Sequence, residues 1–531
     1  MSDRDAKDVF TRDHQTIEGS MSTANLARIL DWNLPRFGSR DALLFEGRRW
    51  TYRDLHRDVN ALAVALRLRG VKRGSRIAML ANTVPEFLIT ALALSKLGAV
   101  IVPLNYRLVG SELRYLVDHA GVQGIATVPD FVELATEAIA GQPDALQFAL
   151  EPIGVDWQDV SELMAECAGQ LIENEEMAAD DLQRIIYTSG TTGRPKGVRL
   201  THGNVMANMN TQLLELSLSH DDRVLNFAPL YHVGGLDIPG YSTWYAGACM
   251  IMLRRFDPAE VMETIEKEKV NGTIMAGTMM DMIRRIEGRT FDTGSMKWLI
   301  YNQVNRKMHD QARELFPSAV LTEAYGLTEV CGGLTFMDEE HVESKQGSVG
   351  RPLPWMDVRV VDTDDVPLAS GEVGEVVARG PKVCDGYLDD SESTADTFRG
   401  GWFHTGDVGR IDEDGYLYIL DRLKDMIRSG GENMASSEIE AVLCAFPGVL
   451  QASVIGAPDP KWIEVPTAFV VTAETISCDA LIEHARQHLG KFKVPKEIYL
   501  VSELPTNPTG KILKRDLRDQ MPSMQASWSA G

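Results

Sequence analysis

Apolar residues return at helical spacing through Leu55, Val59, Leu62 and Leu66, directly after Thr51, and this predicts an amphipathic helix whose one face enters a core. Phe45 to Trp50 reads as a strand before it, Ile77 to Leu80 as a short apolar strand after it, Val84-Pro85-Glu86 as a helix start, and Ala99 to Pro103 as the next strand. Strand-length and helix-length segments alternate, which is α/β patterning. The most apolar stretch, Phe87 to Leu104, is broken by Lys96, Gly98 and Pro103, so a buried helix followed by a buried strand accounts for it better than a membrane span. From Gly371 the texture becomes glycine-punctuated short strands, predicting a β-rich subdomain that closes the large one. After Asp421 a compact α+β piece follows. Ser437 and Glu440 have capping-box spacing, and Ile439, Val442, Leu443 and Phe446 form the buried face of the helix they would start. Val449 to Gly456 and Thr467 to Val471 read as strands, Leu481 to Leu489 as a helix and Ile498 to Val501 as a last strand.

A chain of 531 residues exceeds what one core supports, so two or more domains are expected. Lys plus Arg (53) against Asp plus Glu (76) leaves a net charge of −23, which argues against a general nucleic-acid or anionic-membrane binder. The six cysteines show no C-x-x-C pair and no histidine at metal spacing, so neither a disulfide framework nor a zinc site is expected, and a cytoplasmic location fits. Residues 1–25 are polar, lack a secretory h-region and read as a disordered start.

The chemistry concentrates in Tyr187-Thr188-Ser189-Gly190-Thr191-Thr192-Gly193-Arg194-Pro195-Lys196-Gly197-Val198. Leu182, Ile185 and Ile186 lead into it as a strand. Small residues let backbone N–H groups converge on an anion, hydroxyls add donors and Lys196 adds charge, which describes a phosphate cradle as well as a plain surface turn. It is not the common P-loop, because Lys196 follows Pro195 and precedes Gly197.

The segment resembles the phosphate loop of the adenylate-forming superfamily, in particular its AMP-dependent acyl-CoA synthetases. Further motifs follow in that family's order: Tyr325-Gly326-Leu327-Thr328-Glu329, Gly401-Trp402-Phe403-His404-Thr405-Gly406-Asp407, Asp421-Arg422-Leu423-Lys424-Asp425, and Pro508-Thr509-Gly510-Lys511. The resemblance implies a large multi-layer α/β domain over 26–421, with the ATP and acyl sites, and a small mobile α+β domain over 422–531 hinged near Lys424. It implies that Thr188, Ser189, Gly190, Thr191, Thr192, Gly193 and Lys196 hold the β- and γ-phosphates. Thr328 would donate to the α-phosphate, Glu329 would hold Mg²⁺, Tyr325 would stack on adenine with Gly326 beside it, and Asp407 would accept the ribose hydroxyls. Arg422 would reach ribose or phosphate. Lys511 would contact the α-phosphate and the carboxylate during adenylation, and Gly430 and Gly431 would line the path of the coenzyme A thiol. His232, in Pro229-Leu230-Tyr231-His232-Val233-Gly234-Gly235-Leu236, would flank the acyl site or remain a structural histidine.

The implied reaction joins a small-molecule carboxylic acid to coenzyme A through an acyl-adenylate, consuming ATP and needing Mg²⁺. No carrier domain follows Gly531, so free coenzyme A is the expected thiol; a stand-alone adenylation enzyme loading a carrier protein is the minor alternative. No integral membrane association is expected, and a homodimer is allowed. A medium- or long-chain fatty acid is the first expectation for the acid, and an aryl or hydroxycinnamic acid the second. Met275, Met279, Met280 and Met282 are candidates for an adaptable pocket wall or for core. Tyr301-Asn302-Gln303-Val304-Asn305 departs from the small Gly-Gly-Ala-like turn that many relatives place beside adenine and substrate.

Overall fold

The computed structural model describes residues 24–154, 156–188, 195–302, 306–429, 432–506 and 512–530. Ser189, Gly190, Thr191, Thr192, Gly193, Gln303 to Asn305, Gly430, Gly431, Lys511 and most of the polar start therefore lie outside the described residues. The chain divides into two compact units, residues 1–357 with 378–403, and residues 358–377 with 404–531.

The first unit contains two large sheets. One has seven strands, in which Gln158–Asp159, Leu146–Ala149, Gly124–Thr127, Arg76–Leu80, Val100–Pro103 and Leu182–Thr188 run parallel, and Lys196–Thr201 closes the edge antiparallel to Leu182–Thr188. The other has nine strands, with a parallel centre that includes Gly272–Ala276, Trp298–Asn302 and Val320–Leu327, flanked by antiparallel pairs at both edges. The central parallel strands are largely apolar because both faces are covered, with Gln183 and Arg184 as buried polar exceptions. Every residue of the helix Pro85–Lys96 is buried, as expected of an element apolar on all sides.

The second unit contains a four-stranded sheet, whose strands include Gly374–Arg379, Phe403–Ile411 and Leu417–Arg422, and a six-stranded sheet built on the hairpin Val449–Asp459 and Ile463–Thr472. The helices Ser436–Cys444 and Cys478–His488 pack on the latter through Ile439, Leu443, Leu481 and Ile482. The fold is thus the expected α/β class, a large multi-layer domain with a small α+β C-terminal one.

The helix Tyr52–Leu68 begins at Thr51 in a full capping box with Asp54 and buries Leu55, Val59, Leu62 and Leu66. Two local expectations need correction. Phe45 to Trp50 is not one strand: Asp41–Phe45 and Arg48–Thr51 form a hairpin, turned by Glu46 and Gly47 at φ of 45° and 80°. Nor do Ser437 and Glu440 make a capping box. The helix starts two residues earlier than a Ser437 cap would place it, behind Ala435; Ser437 Oγ donates to the Leu420 carbonyl, and Glu440 accepts the Val454 N–H at 2.8 Å and pairs with Lys514 at 2.8 Å. Tertiary partners took both side chains away from the local motif.

Candidate active site

Thr188 and Lys196 stand opposite each other at the ends of two antiparallel strands that are buried at Ile185, Ile186 and Val198, and residues 189–194 between them lie outside the described ones.

Tyr325 and Gly326 lie near the end of Val320–Leu327, and Thr328–Val330 follows as a single 3₁₀ turn, with Thr328 buried and Glu329 half-buried. The position of this turn, beyond the C-terminal end of a parallel strand, is where open α/β sheets place their ligands. Gly326 has a steric reason independent of any ligand: a Cβ there would come within 1.8 Å of the Gly332 carbonyl oxygen on the paired strand. Cys331 ends the turn at φ of 53°, and the Gly332–Phe336 strand returns from it.

His232 caps the short helix Val233–Leu236, its Nδ1 accepting the Gly234 N–H at 3.0 Å. That bond requires an unprotonated Nδ1, and burial lowers the imidazole's affinity for a proton, so His232 is neutral with its hydrogen on Nε2. Gly235 is forced by packing, since a Cβ would meet the Pro229 carbonyl oxygen at 2.4 Å.

Arg184, unremarked in the sequence, ties these segments together. It belongs to the strand Leu182–Thr188 and is fully buried; its Nη2 donates to Asp237, just past the His232 helix, and contacts Cys331 Sγ at 3.5 Å. Lys382, also fully buried, donates from Nζ to the Gly333 carbonyl. Burial pulls the Lys382 ammonium down to about 8 and pushes the Asp237 carboxyl up to about 6 against the pull of Arg184, so this cluster holds its charges by mutual pairing in place of solvent. Its residues are far apart in sequence, and only the apolar context of Arg184 hinted at burial.

Tyr387, also missed, donates its hydroxyl to Glu329 Oε1 at 3.0 Å. Met275 and Met280 are core residues beneath the nine-stranded sheet, Met279 packs against that core and Met282 is exposed, so as a group they are not a pocket wall. Tyr301 is buried, with its hydroxyl 2.9 Å from His309 Nδ1.

In the second unit, Asp407 and Arg422 are register partners on adjacent strands, and Arg422 Nε meets Asp407 Oδ1 at 2.6 Å. Gly406 sits at φ of 68°, a left-handed position that suits glycine. Glu375 accepts the Gly406 N–H at 3.1 Å and faces His404 Nδ1 at 2.9 Å, fixing the turn before Asp407. Lys424 is exposed in the turn that follows Arg422, while the neighbouring Asp421 accepts the Ser436 N–H at 2.6 Å and Asp425 pairs with Arg518 at 2.9 Å. Among the described residues no group of three or more His, Cys, Asp or Glu is arranged to hold a metal, and no helix is long and apolar enough to cross a membrane.

Comparison with known proteins places the chain in the adenylate-forming class. The AMP-binding enzyme model matches residues 30–388 and the AMP-binding enzyme C-terminal domain model matches 438–511. The chain belongs to the AMP-binding enzyme family. It is 37% identical to a feruloyl-CoA synthase from Amycolatopsis sp over 89% of this chain and 94% of that protein. It is 35% identical to the long-chain-fatty-acid–CoA ligase FadD13 of Mycobacterium tuberculosis, over 89% and 93%. Among solved structures, the O-succinylbenzoate coenzyme A synthetase of Bacillus subtilis in complex with ATP and magnesium ion superposes with a TM-score of 0.82 at 29% identity, covering 93% of this chain and 99% of that one. The protein is an AMP-forming carboxylic acid:CoA ligase that uses ATP, Mg²⁺ and coenzyme A.

Proposed function

We propose that the acid this ligase activates carries one carboxylate and an uncharged tail. The observation that supports this is the pairing of the buried cations beside the proposed acyl site. Arg184 is engaged by Asp237, and Lys382 by the Gly333 carbonyl, which leaves neither as a ready counter-charge for a second carboxylate. His232, neutral and at the head of its glycine-rich turn, suits an apolar neighbour. Within this class two tails have support. Similarity to FadD13 favours a medium- or long-chain fatty acid, and similarity to the feruloyl-CoA synthase favours an aryl or hydroxycinnamic acid. With Met275 and Met280 in the core, the methionines no longer weigh toward the fatty tail.

In this reading the loop from Thr188 to Lys196 takes the β- and γ-phosphates, Thr328 donates to the α-phosphate, Tyr325 stacks on adenine and Asp407 accepts the ribose hydroxyls with Arg422 alongside. Glu329 offers a hard carboxylate oxygen on a turn anchored by Cys384 and Tyr387, a donor that suits Mg²⁺. When bound, the ion would neutralise phosphate charge as carboxylate and phosphate approach. Lys511 serves adenylation, and the hinge near Lys424 then exchanges it for the Gly430 and Gly431 face during thioester formation. A cytoplasmic location accompanies this reading, supported by six free cysteines.

A panel of straight-chain, benzoic, cinnamic and dicarboxylic acids, read by pyrophosphate release and acyl-CoA mass, tests the proposal. A fatty tail should raise kcat/KM roughly fourfold per methylene, from about 0.8 kcal/mol each, until the pocket ends. An aryl tail should give a flat straight-chain series with one or two ring acids far above it. A dicarboxylate exceeding every monocarboxylate would overturn the proposal.

A further inference from the structure

The segment from Cys384 to Leu388 is stitched to two parts of the candidate site at once. On one side the Cys384 N–H donates to the Glu329 carbonyl at 2.7 Å. On the other, Leu388 N–H donates to the Gly197 carbonyl at 2.8 Å and Arg199 N–H to the Gly386 carbonyl at 3.0 Å, so the segment runs as an added strand along Lys196–Thr201, with Tyr387 bridged to Val198. Backbone bonds on both sides fix where the Tyr387 side chain starts. Tyr387 is 8% exposed, and its ring meets Phe398 edge-on, with centroids 5.9 Å apart and planes at 63°. From that fixed base the hydroxyl donates to Glu329 Oε1 at 3.0 Å, and the ring face lies 4.8 Å from Lys196 Nζ.

One side chain therefore touches both the carboxylate and the lysine that flank the nucleotide's phosphates in the reading above. We infer that Tyr387 is a positioning residue for metal-bound ATP: its hydroxyl sets the orientation of the Glu329 carboxylate, and its ring holds the Lys196 ammonium on the same side. The inference rests on the assignment of Glu329 to the metal and Lys196 to the phosphates. Physically, a glutamate has three rotatable side-chain bonds, and a hydrogen bond to one oxygen from a packed, rigid ring restricts them before the ion arrives. Partners of this kind, one shell outside a metal ligand, tune affinity by orienting the ligand. The ring face, negative in its quadrupole, attracts an ammonium without neutralising it, so Lys196 keeps its charge for an anion.

The two contacts are separable by substitution. Tyr387→Phe retains the ring and removes the hydroxyl, whereas Tyr387→Leu removes both. ATP binding to the full chain, measured by calorimetry without acid or coenzyme A, is followed with chelator and across a Mg²⁺ series. For Tyr387→Phe, ATP affinity in chelator should stay at the parental value, while the Mg²⁺ concentration that gives half of the metal-dependent gain should rise about tenfold. Tyr387→Leu should in addition weaken ATP binding in chelator severalfold. An unchanged Mg²⁺ series for Tyr387→Phe, or an equal loss with and without metal, would overturn the inference, the latter pointing to a merely structural tyrosine. Glu329→Gln, run alongside, separates this from the parent assignment. If that variant keeps the parental Mg²⁺ dependence, the assignment of Glu329 to the metal fails; if it loses the dependence while Tyr387→Phe keeps it, only the role of Tyr387 fails.

Discussion

His202 accepts the Leu26 N–H at Nδ1, 3.2 Å away, from the first position of the helix His202–Glu215. Burial brings its proton affinity down to about 4, with Arg184 and Arg73 acting in the same direction and Asp181 opposing. The folded form thus keeps His202 neutral at a pH where the unfolded chain already binds a proton. Its contribution is at its full value above the unfolded pKa of about 6.5 and is lost as pH falls toward 4, by about 3 kcal/mol in all. Asn at this position can still accept the Leu26 N–H through Oδ1 but does not titrate. Urea unfolding of the parent between pH 7 and 4.5 should therefore lose more stability than His202→Asn over the same range; parallel losses would show that His202 is not the group responsible. At this scale the contiguous motif Tyr325 to Glu329 stands together at the end of one strand and the turn after it. Tyr387 and Arg184 escaped because their partners, Glu329 and Asp237, are brought to them only by the fold.

Among the elements, those with a strong period were legible: the helices after Thr51 and Val84 and the strand around Ile185 and Ile186 stand where their patterns put them. Short signals were not. The Phe45 to Trp50 run hid a turn because Glu46 adopts a left-handed conformation that its residue type does not advertise. Ser437 and Glu440 have the spacing of a cap but spend their hydrogen bonds on Leu420 and Val454. The turn after Leu417–Arg422 carries the hinge prediction. Leu423 N–H donates to the Gly406 carbonyl and Asp425 N–H to the Arg422 carbonyl, at 2.8 and 2.9 Å, with exposed Lys424 between them. Lys424→Pro fixes φ near −65° and removes an N–H, so it should hinder rotation while sparing a pose already compatible with that angle. Adenylation, followed by pyrophosphate release, should survive better than acyl-CoA formation from supplied adenylate. Parental rates in both half-reactions would show that the movement does not depend on this residue.

The molecule as a whole falls into two compact units: parallel, largely apolar strands form the sheets of the first, while the texture change read at Gly371 falls inside residues 358–377 of the second. The contact division falls earlier in the chain than the composition change at Asp421, because strands such as Phe403–Ile411 pair with Leu417–Arg422. Asp407 and Arg422 accordingly share a sheet, while Thr328, Glu329 and Lys196 belong to the first unit. What a single sequence could not convey is the shape of the acyl site, since pocket walls come from segments that no local pattern links. The central claim is that the small domain serves the two half-reactions with different faces, and Lys511→Ala tests it most directly. Adenylate formation is measured from ATP and acid, and thioester formation from a supplied acyl-adenylate and coenzyme A. The account predicts a loss of about 100-fold or more in the first, as for removal of one charge-stabilising donor, with the second near the parental rate. Equal losses in both half-reactions would contradict it.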